Sequence, residues 1–187
     1  MTTINMVPKG EEDLPRPGSA LYNLIHPDDK IREKTLKKWN RLNKYLVLPL
    51  YRIKILPFLG FGRIFLILTT IGRKSGKKRR TPLEYHRIDE VITIFSARGE
   101  ESSWVKNIRA NPESVWLRHG FHSFQARIEF VNDKIKKLNI IKWYVVKHSK
   151  SAKMIFGWNS KTDNPETTDF SNLLHMISII RLYPKLE

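Results

Sequence analysis

Residues 64–71 read Ile-Phe-Leu-Ile-Leu-Thr-Thr-Ile, an apolar and β-branched run that stops at Gly72. Gly72-Arg-Lys-Ser-Gly-Lys77 follows, and Thr81-Pro82-Leu83 restarts an extended segment. A strand pattern interrupted by a short, two-glycine turn reads as one arm of a hairpin. The turn and its exit carry Arg73, Lys74, Lys77, Lys78, Arg79 and Arg80 with no acid among them. Gly72 and Gly76 let the backbone approach closely and expose N–H donors, so the turn reads as a small anion-binding surface. The plainer reading is a solvated hairpin tip.

More strand signals follow. Residues 82–88 alternate, Asp89-Glu90 is turn material, and 91–95 form a second apolar run. Ser102 or Ser103 caps a short helix ending near Ala110, where Asn111-Pro112 stops it. Residues 114–117 and 121–131 predict a hairpin around His119-Gly120, and Asn132 or Asp133 caps a helix to about Lys147. A polar loop covers 159–169. The apolar segment 173–182 fits helix or strand. Strands joined by turns, with helices as connections, predict an α+β chain built on a mostly antiparallel barrel.

The N-terminal part differs in character. Residues 1–27, rich in Pro, Gly and acids, read as a flexible tail. His26-Pro27-Asp28-Asp29 then starts a helix, with acids where the dipole favours them. Between Lys30 and Lys54 stand nine Lys or Arg and one acid, Glu33. Ile31, Leu36, Trp39, Leu42, Leu46 and Leu50 recur at mixed three- to five-residue spacings, which approximates a helix face, so 28–60 reads as a basic amphipathic segment. Pro49, Arg52, Lys54 and Pro57 interrupt it short of the ~20 apolar residues a spanning helix needs. Such a helix either lies on an anionic membrane or packs on the barrel. Residues 61–187 are left for the barrel domain.

The formal charge of +16 and pI near 10.1 call for a polyanionic partner: nucleic acid, an anionic membrane or a small polyanion. Nucleic acid is disfavoured, because no helix-turn-helix, RNP-like or zinc-finger pattern appears. The absence of cysteine excludes disulfides and thiolate chemistry. His119 and His122 flank a turn with no acidic partner nearby in sequence, and His86, His148 and His175 form no constellation, so no metal site is expected. Glu84 and Glu129 are candidate general bases or simply solvated strand residues. Gly72 to Lys77 is not a P-loop, because three residues rather than four separate its glycines. No signal-peptide pattern is visible, which predicts the cytoplasm or the cytoplasmic face of a membrane.

Thr-Thr-x-Gly-Arg-Lys-Ser-Gly-x-x-Arg-x-Thr-Pro-Leu resembles the signature of the deazaflavin-dependent nitroreductase family. Ile94-Phe-Ser-Ala-Arg-Gly99 and Trp104-Val-Lys-Asn-Ile-Arg-Ala-Asn-Pro112 resemble two further family motifs, in the family's order. The resemblance implies a split β-barrel of the FMN-binding type. It also implies hydride transfer from reduced coenzyme F-420 (8-hydroxy-5-deazaflavin) to an organic acceptor: a quinone, nitroaromatic or activated enone. Carried over by position, it implies coenzyme contacts from Arg73, Lys74 and Ser75, then from Arg79, Arg80, Thr81, Pro82, Leu83 and Glu84. A third element is Phe95, Ser96, Ala97 and Arg98, and a fourth is Ser103, Trp104, Val105, Lys106 and Asn107. Tyr144, Phe156 and Trp158 are candidates for the substrate wall.

Three departures from the family pattern stand out. Ala97 replaces a serine proposed to assist at the ring, Glu84 replaces an uncharged residue, and the loop after Arg98 is short. No catalytic residue is therefore assigned. The alternatives are an FMN-dependent split-barrel oxidoreductase and a non-catalytic membrane-surface or cofactor-carrier protein.

Overall fold

The computed structural model describes residues 13–26, 28–52, 65–120 and 122–185. It divides into two compact units: Lys38–Val131 with Ser178–Glu187, and Met1–Lys37 with Asn132–Ile177.

The first unit is the barrel. Its strands are β1 (Phe65–Ile71), β2 (Lys78–Ile88), β3 (Val91–Ser96), β4 (Trp116–His119), β5 (His122–Phe130) and β6 (Ser178–Pro184). They close in the order β1-β2-β3-β6-β5-β4, every pairing antiparallel. Six strands and connecting helices are the expected α+β barrel. Alternation fixes which side chains fill it. Leu66, Leu68, Tyr85, Ile94, Leu117, Ala126, Ile180 and Leu182 form one buried cluster, joined by Val105 and Ile108 from a helix. Each large apolar side chain so buried contributes about 1.5–3 kcal/mol. Register follows from the same pattern: Leu66 lies opposite Leu83 and Phe65 opposite Glu84, so a one-residue slip would turn the core face outward.

The β2–β3 connection is a two-residue loop, since Ile88 pairs with Val91. Asp89 and Glu90 both have positive φ, 49° and 60°. That geometry matches the right-handed strand twist but suits glycine or asparagine better than glutamate. The segment 173–182 resolves its ambiguity by being both: a short helix, then β6.

The helical unit contains α1 (Ala20–Ile25), α5 (Lys134–Lys147), α6 (Ser149–Phe156) and α7 (Ser171–Met176). Asp133 caps α5 by accepting from the Lys136 amide at 2.7 Å, as the sequence predicts. Residues 13–26 fall in the stretch expected as a tail, and here they pack: Leu14 and Leu21 are fully buried. Their anchor is Arg16, whose guanidinium grips Asp163 at 2.7 and 2.9 Å and donates to the Gly157 carbonyl at 3.0 Å. The sequence reading missed it because the two partners lie 147 residues apart.

The basic segment is helical throughout its described length. Helix α2 (Asp29–Leu42) passes through a five-residue π-helical stretch, Asn43–Val47, into α3 (Leu48–Arg52). Pro49, in the first turn of α3, has no N–H to offer the turn before it. A local i→i+5 widening, seen in the Leu48 amide bonding to the Asn43 carbonyl, lets the helix pass it. No residue of α2 is buried.

Candidate functional site: a cationic rim held by one asparagine

All eight residues from Arg73 to Arg80 are exposed, so the six cations of the turn are presented to solvent. The turn itself is rigid by construction. The Gly72 amide donates to the Lys77 carbonyl at 2.9 Å, and the Ser75 and Gly76 amides both donate to the Gly72 carbonyl, at 3.1 and 2.7 Å. A Cβ on Gly72 would sit 2.8 Å from Ser75 Oγ and 3.2 Å from the Lys77 carbonyl, and Gly76 has φ +64°. Glycine is therefore required once for space and once for conformation. The consequence differs from the expected one. These amides, with that of Lys77 donating to Ser75 Oγ at 3.4 Å, are spent inside the turn. Anion binding here falls to side chains rather than to a backbone nest.

Asn107 fastens the turn to α4 (Ser103–Ala110). Its Oδ1 accepts from the Arg73 amide at 3.2 Å and from Arg73 Nη1 at 3.4 Å, while its Nδ2 donates to Thr70 Oγ1 at 3.3 Å. The side chain is buried, and Thr70 is 1% exposed. Ser75 Oγ also accepts from Arg79 Nη2 at 3.4 Å, linking the two ends of the turn. Lys78 Nζ lies 5.3 Å from the centre of the Trp116 ring on β4.

The strand end after β3 reaches the same rim. Ser96 is buried, its Oγ donating to the Gly99 carbonyl at 3.0 Å and, its proton so used, accepting from Ser102 Oγ at 2.7 Å. Ser102 stands at the N-cap of α4, but its hydroxyl is taken by Ser96 and makes no capping bond. The two serines hold the short Ala97–Ser102 loop closed, leaving Ala97 and Arg98 half-exposed at its tip. Glu101 reports what converges there. Lys106 holds its carboxyl below the ordinary carboxylate range, through a hydrogen bond and then through charge, and Arg98 and Arg73 add to the effect. Arg73, Arg98 and Lys106, from three separate elements, thus surround one exposed acid.

Other predicted residues are placed by strand and helix periodicity. Leu83 packs against the barrel core, and Thr81, two residues earlier on β2, shares its inward face. Val105 is inside the core, with Trp104 leaning on it. Arg80, Pro82 and Glu84 share the outward face of β2, where Pro82 is buried and Glu84 half-buried. Burial pushes the Glu84 carboxyl above its ordinary value. His86, two residues further on, approaches it with Nε2 3.5 Å from Oε1. The sequence reading left His86 without a partner, although i,i+2 spacing on a strand is the signal that pairs them.

His119 is more than a surface residue: its Nε2 meets the Tyr85 hydroxyl. Burial, then Arg87 and His122, push its imidazole below the ordinary value. Tyr144, Phe156 and Trp158 belong to the helical unit and are buried there. Tyr144 contacts Phe156 edge-on at 5.8 Å, and Trp158 stacks on Phe170 at 5.9 Å.

A closed six-stranded antiparallel barrel with helices as connections is the split-barrel architecture of the FMN-binding type. Residues 59–150, about half of the chain, match the model of the F-420H(2)-dependent quinone reductase family. Among solved structures, the chain is similar to an F-420-H2 dependent reductase (FDR-A), at 22% identity and TM-score 0.43, covering 65% of this chain and 95% of that one. It is similar to a Listeria innocua pyridoxamine 5'-phosphate oxidase-type protein, at 14% identity and TM-score 0.44, covering 69% and 91%. A Bacteroides thetaiotaomicron 5-nitroimidazole antibiotic resistance protein matches at 9% identity and TM-score 0.44, covering 67% and 76%. No curated protein matches.

Proposed function

We propose that the chain is a reductase that binds reduced coenzyme F-420 at the cationic rim and passes hydride to a quinone-class acceptor. The observation that carries this reading is the rigid turn of six exposed cations within a barrel region that matches the deazaflavin quinone-reductase family. The coenzyme's tail, with a phosphodiester and glutamate carboxylates, is a polyanion. Aligned charge-assisted hydrogen bonds to such a tail contribute about 1.5–3 kcal/mol each. Bound, the coenzyme supplies the hydride; the protein supplies placement. Arg73, Lys74, Arg79 and Arg80 hold the tail, Ser75 orients Arg79, and Asn107 keeps the turn in register. The Ser96–Ser102 pair shapes the loop that presents Arg98, and Trp104 shields the ring side of the rim. A deazaflavin is favoured over FMN because FMN carries a single phosphate, for which six cations are more than enough.

The reading is tested by titrating the protein with reduced deazaflavin, followed by a panel of quinone, nitroaromatic and enone acceptors. Lys74→Glu and Arg79→Glu should each weaken binding by about 30-fold or more, the equivalent of one lost contact of about 2 kcal/mol plus repulsion. Binding should also weaken with salt. Unchanged dissociation constants in both variants would remove the turn from the site, and tighter binding of FMN would favour the flavin alternative.

A peripheral position on an anionic membrane completes the proposal and favours a lipid-soluble quinone as acceptor. It is supported by Trp39, Leu42, Tyr45 and Leu46, which are 41–69% exposed along one basic helical segment. Among the described residues, no helix is long and apolar enough to cross a membrane. Each Lys or Arg near an anionic surface contributes about 1 kcal/mol. Co-sedimentation with anionic vesicles, release by high salt and loss in a Trp39→Ser/Tyr45→Ser/Leu46→Ser variant are expected. A protein that stays in the supernatant at low salt would refute the membrane position without touching the coenzyme site.

A further inference from the structure

The outward face of β2 carries a pair of titratable side chains that the coenzyme contacts proposed above leave without a role. Alternation puts Glu84 and His86 on that one face, and their side chains meet with Oε1 3.5 Å from Nε2. The imidazole is almost fully covered, with its side chain 5% exposed, while the carboxyl keeps 30% exposure and so remains reachable. Phe95, on the neighbouring strand, meets the imidazole edge-on with ring centres 5.7 Å apart. Neighbours on adjoining strands include Phe65, opposite Glu84, and Thr93, opposite His86. Arg181 lies one strand beyond Thr93, and its guanidinium is drawn to the Ile88 carbonyl at 3.2 Å and to Asp89 at 3.4 Å.

A partly buried carboxyl 3.5 Å from a covered imidazole can share a proton with it. The pair can hold one proton as carboxylic acid with neutral imidazole, or as carboxylate with imidazolium. Burial pushes the Glu84 carboxyl upward, so its acid form is favoured beyond the usual carboxylate range. Among the eighteen candidate coenzyme contacts, Glu84 is the one acid, and Ala97 offers no hydroxyl.

We propose that Glu84 and His86 are the proton store of the reduction, Glu84 protonating the acceptor and His86 restoring Glu84. This rests on the reading that 79–84 and 95–98 face the coenzyme and acceptor. The acceptor takes a hydride, with both electrons, from carbon 5 of the reduced deazaflavin, which is thereby oxidised. The acceptor's oxygen is left anionic. The Oε–H bond of Glu84 breaks as an O–H bond forms on that oxygen, and no further electrons move. His86 then takes a proton from solvent, becoming imidazolium, and passes it to the new carboxylate, which restores the acid form beside neutral imidazole. A donor that keeps its proton near neutral pH is what such a step requires.

The test has two readouts. In the protein without coenzyme, the His86 imidazole is titrated by NMR in the wild type and in Glu84→Gln. Loss of the carboxylate should lower the His86 midpoint; an unmoved midpoint would show that the two groups are not coupled and would overturn the store. In single-turnover reduction of a quinone, Glu84→Gln should slow the step by about a hundredfold or more at little change in coenzyme dissociation constant, with Glu84→Asp partly restoring it. The wild-type rate should fall as pH rises through the pair's titration, and the Glu84→Gln rate should be flat there. Should Glu84→Gln fold poorly, His86→Asn is read in its place and should shift the pH profile. Wild-type binding of reduced deazaflavin with a Glu84→Gln rate equal to wild type would overturn the proton assignment alone. Failure of the wild type to bind it would overturn the functional reading and this inference together.

Discussion

Asn107 offers the sharpest separation between holding the rim together and binding an anion. Replacing it by alanine removes the acceptor of the Arg73 amide at 3.2 Å and the donor to Thr70 Oγ1 at 3.3 Å. Thr70 is buried, so water does not readily replace the lost partner. Each bond contributes about 1 kcal/mol net, and the small void left behind adds to the loss, so Asn107→Ala should destabilise by about 2–3 kcal/mol. For a chain of this size that corresponds to a fall of about 5–10 °C in Tm. The freed turn must then be ordered by its ligand, which should weaken deazaflavin binding by about tenfold. Asn107→Asp is the control. A carboxylate still accepts from Arg73, and the Thr70 hydroxyl can rotate to donate to it, so Tm should be nearly kept. Coenzyme affinity should nonetheless fall, and salt should narrow the difference from wild type, because a negative charge now sits behind the cations. Differential scanning calorimetry and fluorescence titration measure both quantities. If Asn107→Ala keeps the wild-type Tm, the bracket is not energetically significant. If it loses stability but binds deazaflavin unchanged, the turn is not the binding element.

Two further outcomes concern the scaffold. Glu90→Gly should stabilise the protein by about 1 kcal/mol, because relief of a left-handed glutamate outweighs glycine's greater freedom in the unfolded chain; an unchanged midpoint in urea would count against strain at that turn. At Asp163, burial alone would raise the carboxyl, but hydrogen bonds from Arg16 and Asn159 and the Arg16 charge together lower it. Its contribution is therefore present above the ordinary carboxylate value and lost as pH falls through the lower folded value. Asp163→Asn should cost about 2 kcal/mol at neutral pH. The gap from wild type should shrink as the pH drops below about 4, and a gap independent of pH would show that the ion pair is not its source.

The barrel was legible in the sequence because its signals are local. The glycine-bounded turn at 72–77, the Asp89–Glu90 reversal and the cap at Asp133 each act within a few residues. Asn107 was named as a contact, but its bracket joins α4 to β1 and the turn across 34 and 37 residues, and no local pattern encodes that. The packing of residues 13–26 was hidden for the same reason: its anchor, Arg16 to Asp163, is a long-range contact written into a proline-rich stretch that otherwise reads as a tail. Glu84 and His86 were legible in principle. Alternation on β2 places them together, but a lone histidine gives no sign of being covered until its neighbours are known.

Strand order has a consequence for synthesis. β6 is the last of the described strands along the chain, yet it lies between β3 and β5, and residues 131–177 separate it from β5. Until it emerges from the ribosome, β3 and β5 each present a row of unpaired backbone groups, the kind of edge on which other chains polymerise. A message cut short before Ser178 would encode the whole cationic rim and still yield a product with two sticky margins. Closing both margins thus falls to a strand well downstream of the cationic rim.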